Sequence, residues 1–287
     1  LDADAFARCL AMAASAASGI RANFGTMTKP LHVGYAARNA VLAALMAREG
    51  VTANTEILEH PYGYAEVFNH HSGINAAHFE NWGDPLEILT EFGLGLKPYP
   101  ACGAAHPPIE AAIQIRDQIQ GDLDAIEDIR IGVTEMHFEP MIYDKAANGL
   151  EAKFCMGYCI SAALLDGDVT LQSFEEAEIP RINASGIVGK VRMELDDRVK
   201  GNSEFGSVLP ITLNSGQVLE KIVPLAIGKP ERWFPKRKLE TKFHDCCSGV
   251  ISKEHAAKIF TLSQAFEDAR SLKPLCKAVG QSTALAE

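Results

Sequence analysis

Two short stretches of the chain concentrate side chains that can hold an anion and move a proton. The first is Gly25-Thr26-Met27-Thr28-Lys29-Pro30-Leu31-His32-Val33-Gly34, where Lys29 and His32 stand on the first turn of a helix that proline favours at its start. A helix N-terminus presents unpaired N–H donors and about half a positive elementary charge. Two cationic side chains there oppose the dipole by about 0.3–1 kcal/mol per charge, until an anion gathers side chains and amides around itself. A surface lysine and a capping histidine are the plainer account. The second stretch is Lys97-Pro98-Tyr99-Pro100-Ala101-Cys102-Gly103-Ala104-Ala105-His106-Pro107-Pro108. Its early prolines hold an extended segment, Gly103 permits a tight turn, and His106 opens the next helix. A thiol near an imidazole and a helix start has its thiolate favoured by both. His106 is also suited to general acid or base work near neutral pH. A buried cysteine and a capping histidine explain the same residues. A metal site is poorly supported, because Cys102 and His106 lack a second ligand pair of proper spacing.

The elements that must position these groups are mostly helical up to about residue 95. An Ala-rich helix is expected over residues 2–18, stopping at Gly19, and a second from Pro30 to Gly50. Gly34, Ala36 and Ala37 would let another backbone approach it closely. Short helices are expected at Thr52–Leu58 and Tyr62–His70, separated by His60-Pro61. The pattern then changes. Pro107-Pro108 opens a helix to about Gln120, Ile129–Val133 alternates as a strand does, and Lys153–Leu165 reads as helix. Lys190–Leu195 alternates strictly, and Pro210–Leu213 with Gln217–Leu225 forms a hairpin around Asn214-Ser215-Gly216. Phe234–Cys247, Ser252–Phe266 and Asp268–Val279 return to helix. The expected fold is mainly α with an α+β domain inserted: 1–95 helical, 96–230 α+β, and 231–287 helices returning to the first domain.

The 287 residues exceed one domain at roughly 150 residues each. Hydrophobic content of 47% with mean hydropathy of −0.01 allows a real core, yet no run reaches the ~18 apolar residues that span a membrane. Leu1-Asp2-Ala3-Asp4 is acidic where a signal peptide would be cationic. Seven scattered cysteines form no disulfide framework, which favours a reducing compartment: the cytoplasm, or the mitochondrion in a eukaryote. Cys155 and Cys159, four apart on an apolar stretch, read as core. The adjacent His70 and His71, and His78, lie in a polar stretch and are expected at the surface. A net charge of −10 disfavours nucleic acid and anionic membrane as partners. The same field repels a polycarboxylate, so a site for one must be a local concentration of positive charge. The chain starts without Met and inside a helical pattern, as expected of numbering that begins within a longer protein. On that reading Ala5–Ser18 and Val41–Ala47 would show exposed apolar faces.

At these motifs the chain resembles the MmgE/PrpD family, whose members include 2-methylcitrate dehydratase, cis-aconitate decarboxylase and iminodisuccinate epimerase. Residues 25–37 match its GTMTKPLHxGxAA segment, Lys97–Cys102 with His106 its KxYPxCxxxH segment, and Glu151-Ala152-Lys153-Phe154 with Tyr158 and Ala162 its EAKFxxxYxxxxAL segment. The resemblance covers essentially the whole chain. It implies an all-helical domain built from both chain ends with a smaller α+β domain inserted, an active site between them, and commonly a homodimer. The family's upstream Asp-rich motif does not occur here. The decarboxylase of animals resembles a pattern with His where this chain has Cys102, while fungal and many bacterial relatives carry Cys.

Removing water, CO2 or a proton from such acids builds charge beside a carboxylate, so catalysis needs fixed positive charge and an acid/base group within ~3 Å of the moving proton. The expectation is therefore a lyase of small di- and tricarboxylates, with an epimerase of an amino- or imino-dicarboxylate, or a catalytically incomplete chain, as alternatives. His106, Cys102 and Lys29 are the candidate catalytic residues, and Lys97, His32, Thr28 and Tyr99 the candidate substrate-binding ones. The scheme requires no cofactor and no metal.

Overall fold

Asp2 starts the first helix by accepting the Ala5 N–H on its carboxylate at 2.7 Å, which satisfies one of the orphan donors every helix start carries. The computed structural model describes residues 1–69, 77, 80–90, 93–119, 122–200 and 205–280. These fall into two units, Leu1–Glu87 and Ile88–Glu287. The expected histidines at 70, 71 and 78 lie outside the described residues. No described helix is long and apolar enough to cross a membrane.

The first unit is built on α1 (Ala3–Ser15) and α2 (Thr28–Arg48), which pack on each other through Cys9, Ala43 and Ala47. Small side chains at this seam let the two backbones approach. α1 ends earlier than expected. Its Ser15 hydroxyl donates back to the Ala11 carbonyl, and Asn39 of α2 donates to the Ala16 carbonyl at 3.2 Å. Gly19 is therefore no helix cap; at φ +113° it makes room for the His32 ring, which a Cβ would approach to 3.2 Å. The expected helix at Thr52–Leu58 is absent. The N–H groups of Tyr64 and Ala65 take the carbonyls of Ile57 and Leu58, so the segment folds back on itself across Gly63, leaving only α3 (Tyr64–Phe68) helical. The outer side of α2 stays open. Nothing lies within 4 Å of a Cβ placed on Gly34, and Val33 and Val41 are 75% and 62% exposed.

The second unit holds a four-stranded mixed sheet of order β2-β1-β3-β4, comprising β1 (Ile126–Val133), β2 (Val191–Leu195), β3 (Ser207–Leu213) and β4 (Val218–Val223). β1 runs parallel to β2, with Ile129 opposite Val191, and antiparallel to β3. The β3–β4 hairpin turns where expected, with Gly216 at φ +82°. Against this sheet packs α4 (His106–Ile119), which also meets α6 (Met156–Asp166). Ile109, Ile115, Ile129, Ile131, Ile160 and Ile211 are all fully buried between them. Among the described residues helix thus predominates over one small sheet, as expected.

The helix expected over Lys153–Leu165 begins three residues later, at Met156. α5 (Gly149–Ala152) and α6 are separate, with Cys155 extended at φ −112°, ψ 108° between them. The cause is capture of carbonyls from outside. Cys102 donates its N–H to Lys153 at 3.0 Å and Tyr143 donates to Phe154 at 3.3 Å, so the i→i+4 ladder cannot run through. Cys155 and Cys159 are wholly buried, as core cysteines should be. Tyr158, fully buried, donates its hydroxyl to the Ser173 carbonyl at 2.6 Å. Tyr158→Phe leaves that carbonyl unpaired and is expected to lower stability by about 1–3 kcal/mol; a urea midpoint identical to wild type would show that the bond contributes nothing.

The remaining helices are α7 (Glu178–Asn183), α8 (Lys236–Cys247), α9 (Lys253–Gln264) and α10 (Lys273–Gly280). The last three share a small core of Ile251, Ala256, Ile259 and Ala278. α10 begins five residues later than the expected Asp268, at Lys273.

Candidate active site

The loop from Lys97 to His106 is held at both ends and crosses the core of the second unit. The Leu96 N–H donates to the Gly228 carbonyl at 2.8 Å, which anchors the residue before Lys97. A turn at Gly103–Ala105 then runs directly into α4, so that His106 opens the helix. Within the loop the Lys97 ammonium donates to the Ala101 carbonyl at 2.9 Å. The His106 Nε2 lies 3.3 Å from the same oxygen. A carbonyl only accepts, so Nε2 carries a hydrogen. Lys97 and His106 are thus gathered on one atom.

Burial decides the state of the imidazole. His106 is 5% exposed, and this desolvation lowers its pKa to about 4, helped by the Lys97 charge and opposed by the backbone of Ala101 and Tyr99. It is therefore neutral at pH 7 and able to take a proton. The Tyr99 ring meets the imidazole edge-on at 5.7 Å. Burial pushes its phenol up, with the Glu110 carboxylate next in effect. Cys102 is buried as well, while Lys97 is exposed and carries the loop's positive charge to its surface.

The third motif, Glu151-Ala152-Lys153-Phe154, supports this loop from behind. Asn148 accepts the Glu151 N–H at 3.0 Å, and the Glu151 carboxylate accepts the Ala147 N–H at 2.8 Å. Glu151 also accepts from the Asn148 side-chain amide at 3.0 Å, so the N-cap and Glu151 hold each other in a variant of the capping box at α5. The helix so fixed presents the Lys153 carbonyl to Cys102, and the Lys153 ammonium lies 5.6 Å from the Phe174 ring centre. The spacing Asn-x-x-Glu is the sequence signal that finds this. Behind the loop, burial raises the Cys159 thiol well above its usual value, with Cys155 and then Cys102 adding to it.

In the first unit, the turn before α2 is built on Thr26. Its hydroxyl donates to the Asn23 carbonyl at 2.7 Å and accepts the Thr28 N–H at 3.2 Å. Gly25, at φ +83°, makes the bend. Lys29 places its ammonium 4.8 Å from the centre of the Phe24 ring. His32 lies one turn into the helix, its ring against Gly19, and does not cap it. Thr28, Lys29 and His32 are all half-buried. Each motif is therefore a local unit: Thr28, Lys29 and His32 at one helix start, Lys97, Tyr99, Cys102 and His106 at another.

Comparison with known proteins agrees with this division. Residues 1–77 match the sequence model of the MmgE/PrpD N-terminal domain, and residues 99–268, more than half of the chain, that of the MmgE/PrpD C-terminal domain. Over 267 residues the chain is 25% identical to the cis-aconitate decarboxylase of Homo sapiens, covering 90% of this chain and 54% of that protein. It is 22% identical over 298 residues to the cis-aconitate decarboxylase of Aspergillus terreus, covering 96% and 59%. The cis-aconitate decarboxylase-like protein oryM of Aspergillus oryzae is 23% identical over 266 residues, covering 86% and 54%. The chain spans a little over half the length of these curated relatives. On the strength of the two domain matches, it belongs to the MmgE/PrpD family.

Proposed function

We propose that the chain carries catalytic residues of a lyase that acts on small di- and tricarboxylates, by proton transfer next to a carboxylate. The observation that carries this reading is the meeting of the Lys97 ammonium and the neutral His106 imidazole at the Ala101 carbonyl, in a chain similar to cis-aconitate decarboxylases. Lys97 leaves Ala101 to hold a substrate carboxylate; Lys29, in the first unit, is a further candidate for binding a carboxylate. As charge develops beside the carboxylate, fixed cations stabilise it more than they stabilise the ground state. His106 takes or returns the proton, with Cys102 beside it. His32 and Thr28 at the start of α2, and Tyr99 beside His106, are the remaining candidate substrate-binding residues. No step in this scheme calls for a cofactor.

The test is a panel of citrate-like acids offered to the native protein and followed by NMR. Loss of CO2 identifies a decarboxylase, loss of water a dehydratase, and inversion without change of mass an epimerase. Turnover to products of unchanged mass would remove the lyase reading, and no turnover of any acid would remove the enzymatic one.

A further inference from the structure

Glu110 and Arg232 are separated by 122 residues and form the best-made ion pair near the Lys97–His106 loop. The guanidinium holds both carboxylate oxygens, at 2.7 and 3.3 Å, and also donates to the Leu225 carbonyl. The Glu110 carboxylate additionally accepts the Ile227 N–H at 3.4 Å and the Gln114 side chain at 3.1 Å. It is largely buried, at 11% side-chain exposure. Glu110 sits on α4 one turn after His106. Arg232 sits in the turn between β4 and α8. The pair therefore fastens that turn to the helix that carries the imidazole.

The turn in its turn holds the other end of the loop. Arg232 accepts the Gly228 N–H on its carbonyl at 2.7 Å and donates its own N–H to Lys229 at 3.0 Å, and the Gly228 carbonyl accepts the Leu96 N–H at 2.8 Å. Contact at Gly228 is so close that a Cβ there would lie 1.9 Å from the Leu96 carbonyl oxygen. Leu96 is the residue before Lys97. Without the Arg232 fork, the turn keeps its local bonds but is tied to the Glu110 carboxylate of α4 only by the long Ile227 N–H bond, so Leu96 is held less firmly.

We propose that Arg232 is a positioning residue for Lys97: through Glu110 it registers the Gly228 turn on α4, and so sets the Lys97 backbone relative to His106. The part that concerns substrate rests on the lyase reading above; the part that concerns the backbone does not. Arginine is required because one planar group must meet two carboxylate oxygens and a carbonyl together, which a single ammonium does less well.

The test compares wild type, Arg232→Gln and Arg232→Lys. Hydrogen exchange at the Leu96 amide is expected to be about tenfold faster in Arg232→Gln, a local opening, with β1 and β3 amides at wild-type protection and Arg232→Lys between the two. With any acid that wild type converts, KM is expected to rise about tenfold with kcat changed far less, the pattern of a lost carboxylate contact, and Arg232→Lys restores part of it. Unchanged exchange at Leu96 overturns the proposal. So does faster exchange throughout α4 and the sheet, which would mean general destabilisation, and so does a loosened Leu96 with unaltered KM. If wild type converts no acid, the lyase reading falls alone, and exchange at Leu96 together with acylation of Lys97 by an amine reagent decides the backbone claim.

Discussion

On the proposed lyase reading, Lys97→Ala is expected to lower kcat/KM for any acid converted by about 30- to 1000-fold, the ~2–4 kcal/mol that follows loss of one donor to developing charge. Lys29→Ala is expected to fall in the same range. A second readout for Lys97 needs no substrate. The ammonium is the second cause, after burial, that holds the His106 pKa down to about 4. Removing it is expected to raise that pKa, seen by NMR titration of the ring. If the imidazole titrates unchanged in Lys97→Ala, the two groups are not coupled through Ala101. If kcat/KM is unchanged as well, Lys97 has no part in catalysis.

Stability is expected to fall steeply between pH 6.5 and 4. His106 and His137 are both buried, and burial lowers each to about 4 in the folded chain from 6.5. The His137 Nδ1 lies 3.2 Å from the Thr134 carbonyl, a contact that opposes the shift, so it is burial that holds this ring neutral too. Between those pH values the unfolded chain binds more protons than the folded one, so stability is full above about 6.5 and lost as pH falls towards 4. The difference amounts to about 3 kcal/mol for each histidine over the whole window, and about 2 kcal/mol each by pH 5. Against a usual domain stability of ~5–15 kcal/mol, two such terms are large. Urea unfolding at pH 7 and pH 5 measures the loss, and His137→Gln is expected to reduce the slope with pH by about half whatever it does to stability at pH 7. A stability that is flat over this window would show that neither ring is held neutral by the fold.

Much of this protein was legible in its local patterns because the forces concerned act over a few residues. Strict alternation placed β2 at Val191–Leu195, and Asn214-Ser215-Gly216 placed the hairpin, since a positive φ is needed there and glycine supplies it. Pro107-Pro108 marked the opening of α4. Asn148 and Glu151 also follow a local rule, bonding to each other across the start of α5, and the spacing Asn-x-x-Glu left that signal open to reading.

What could not be read was decided by hydrogen bonds between distant segments. The break at Cys155 follows from Cys102 and Tyr143 taking the Lys153 and Phe154 carbonyls; apolar periodicity through 153–165 contains no trace of it. The end of α1 depends on Asn39, and the missing helix at 52–58 on Tyr64 and Ala65. The sequence by itself determined which residues of Lys97–His106 are chemically able: an ammonium, a thiol, a phenol and an imidazole beside a helix start. Only the tertiary structure decided that the imidazole is buried and neutral, that its Nε2 and the ammonium share the Ala101 carbonyl, and that Glu110 reaches Arg232. Solvent exclusion and long-range pairing set those states, and neither is a property of residue type or spacing.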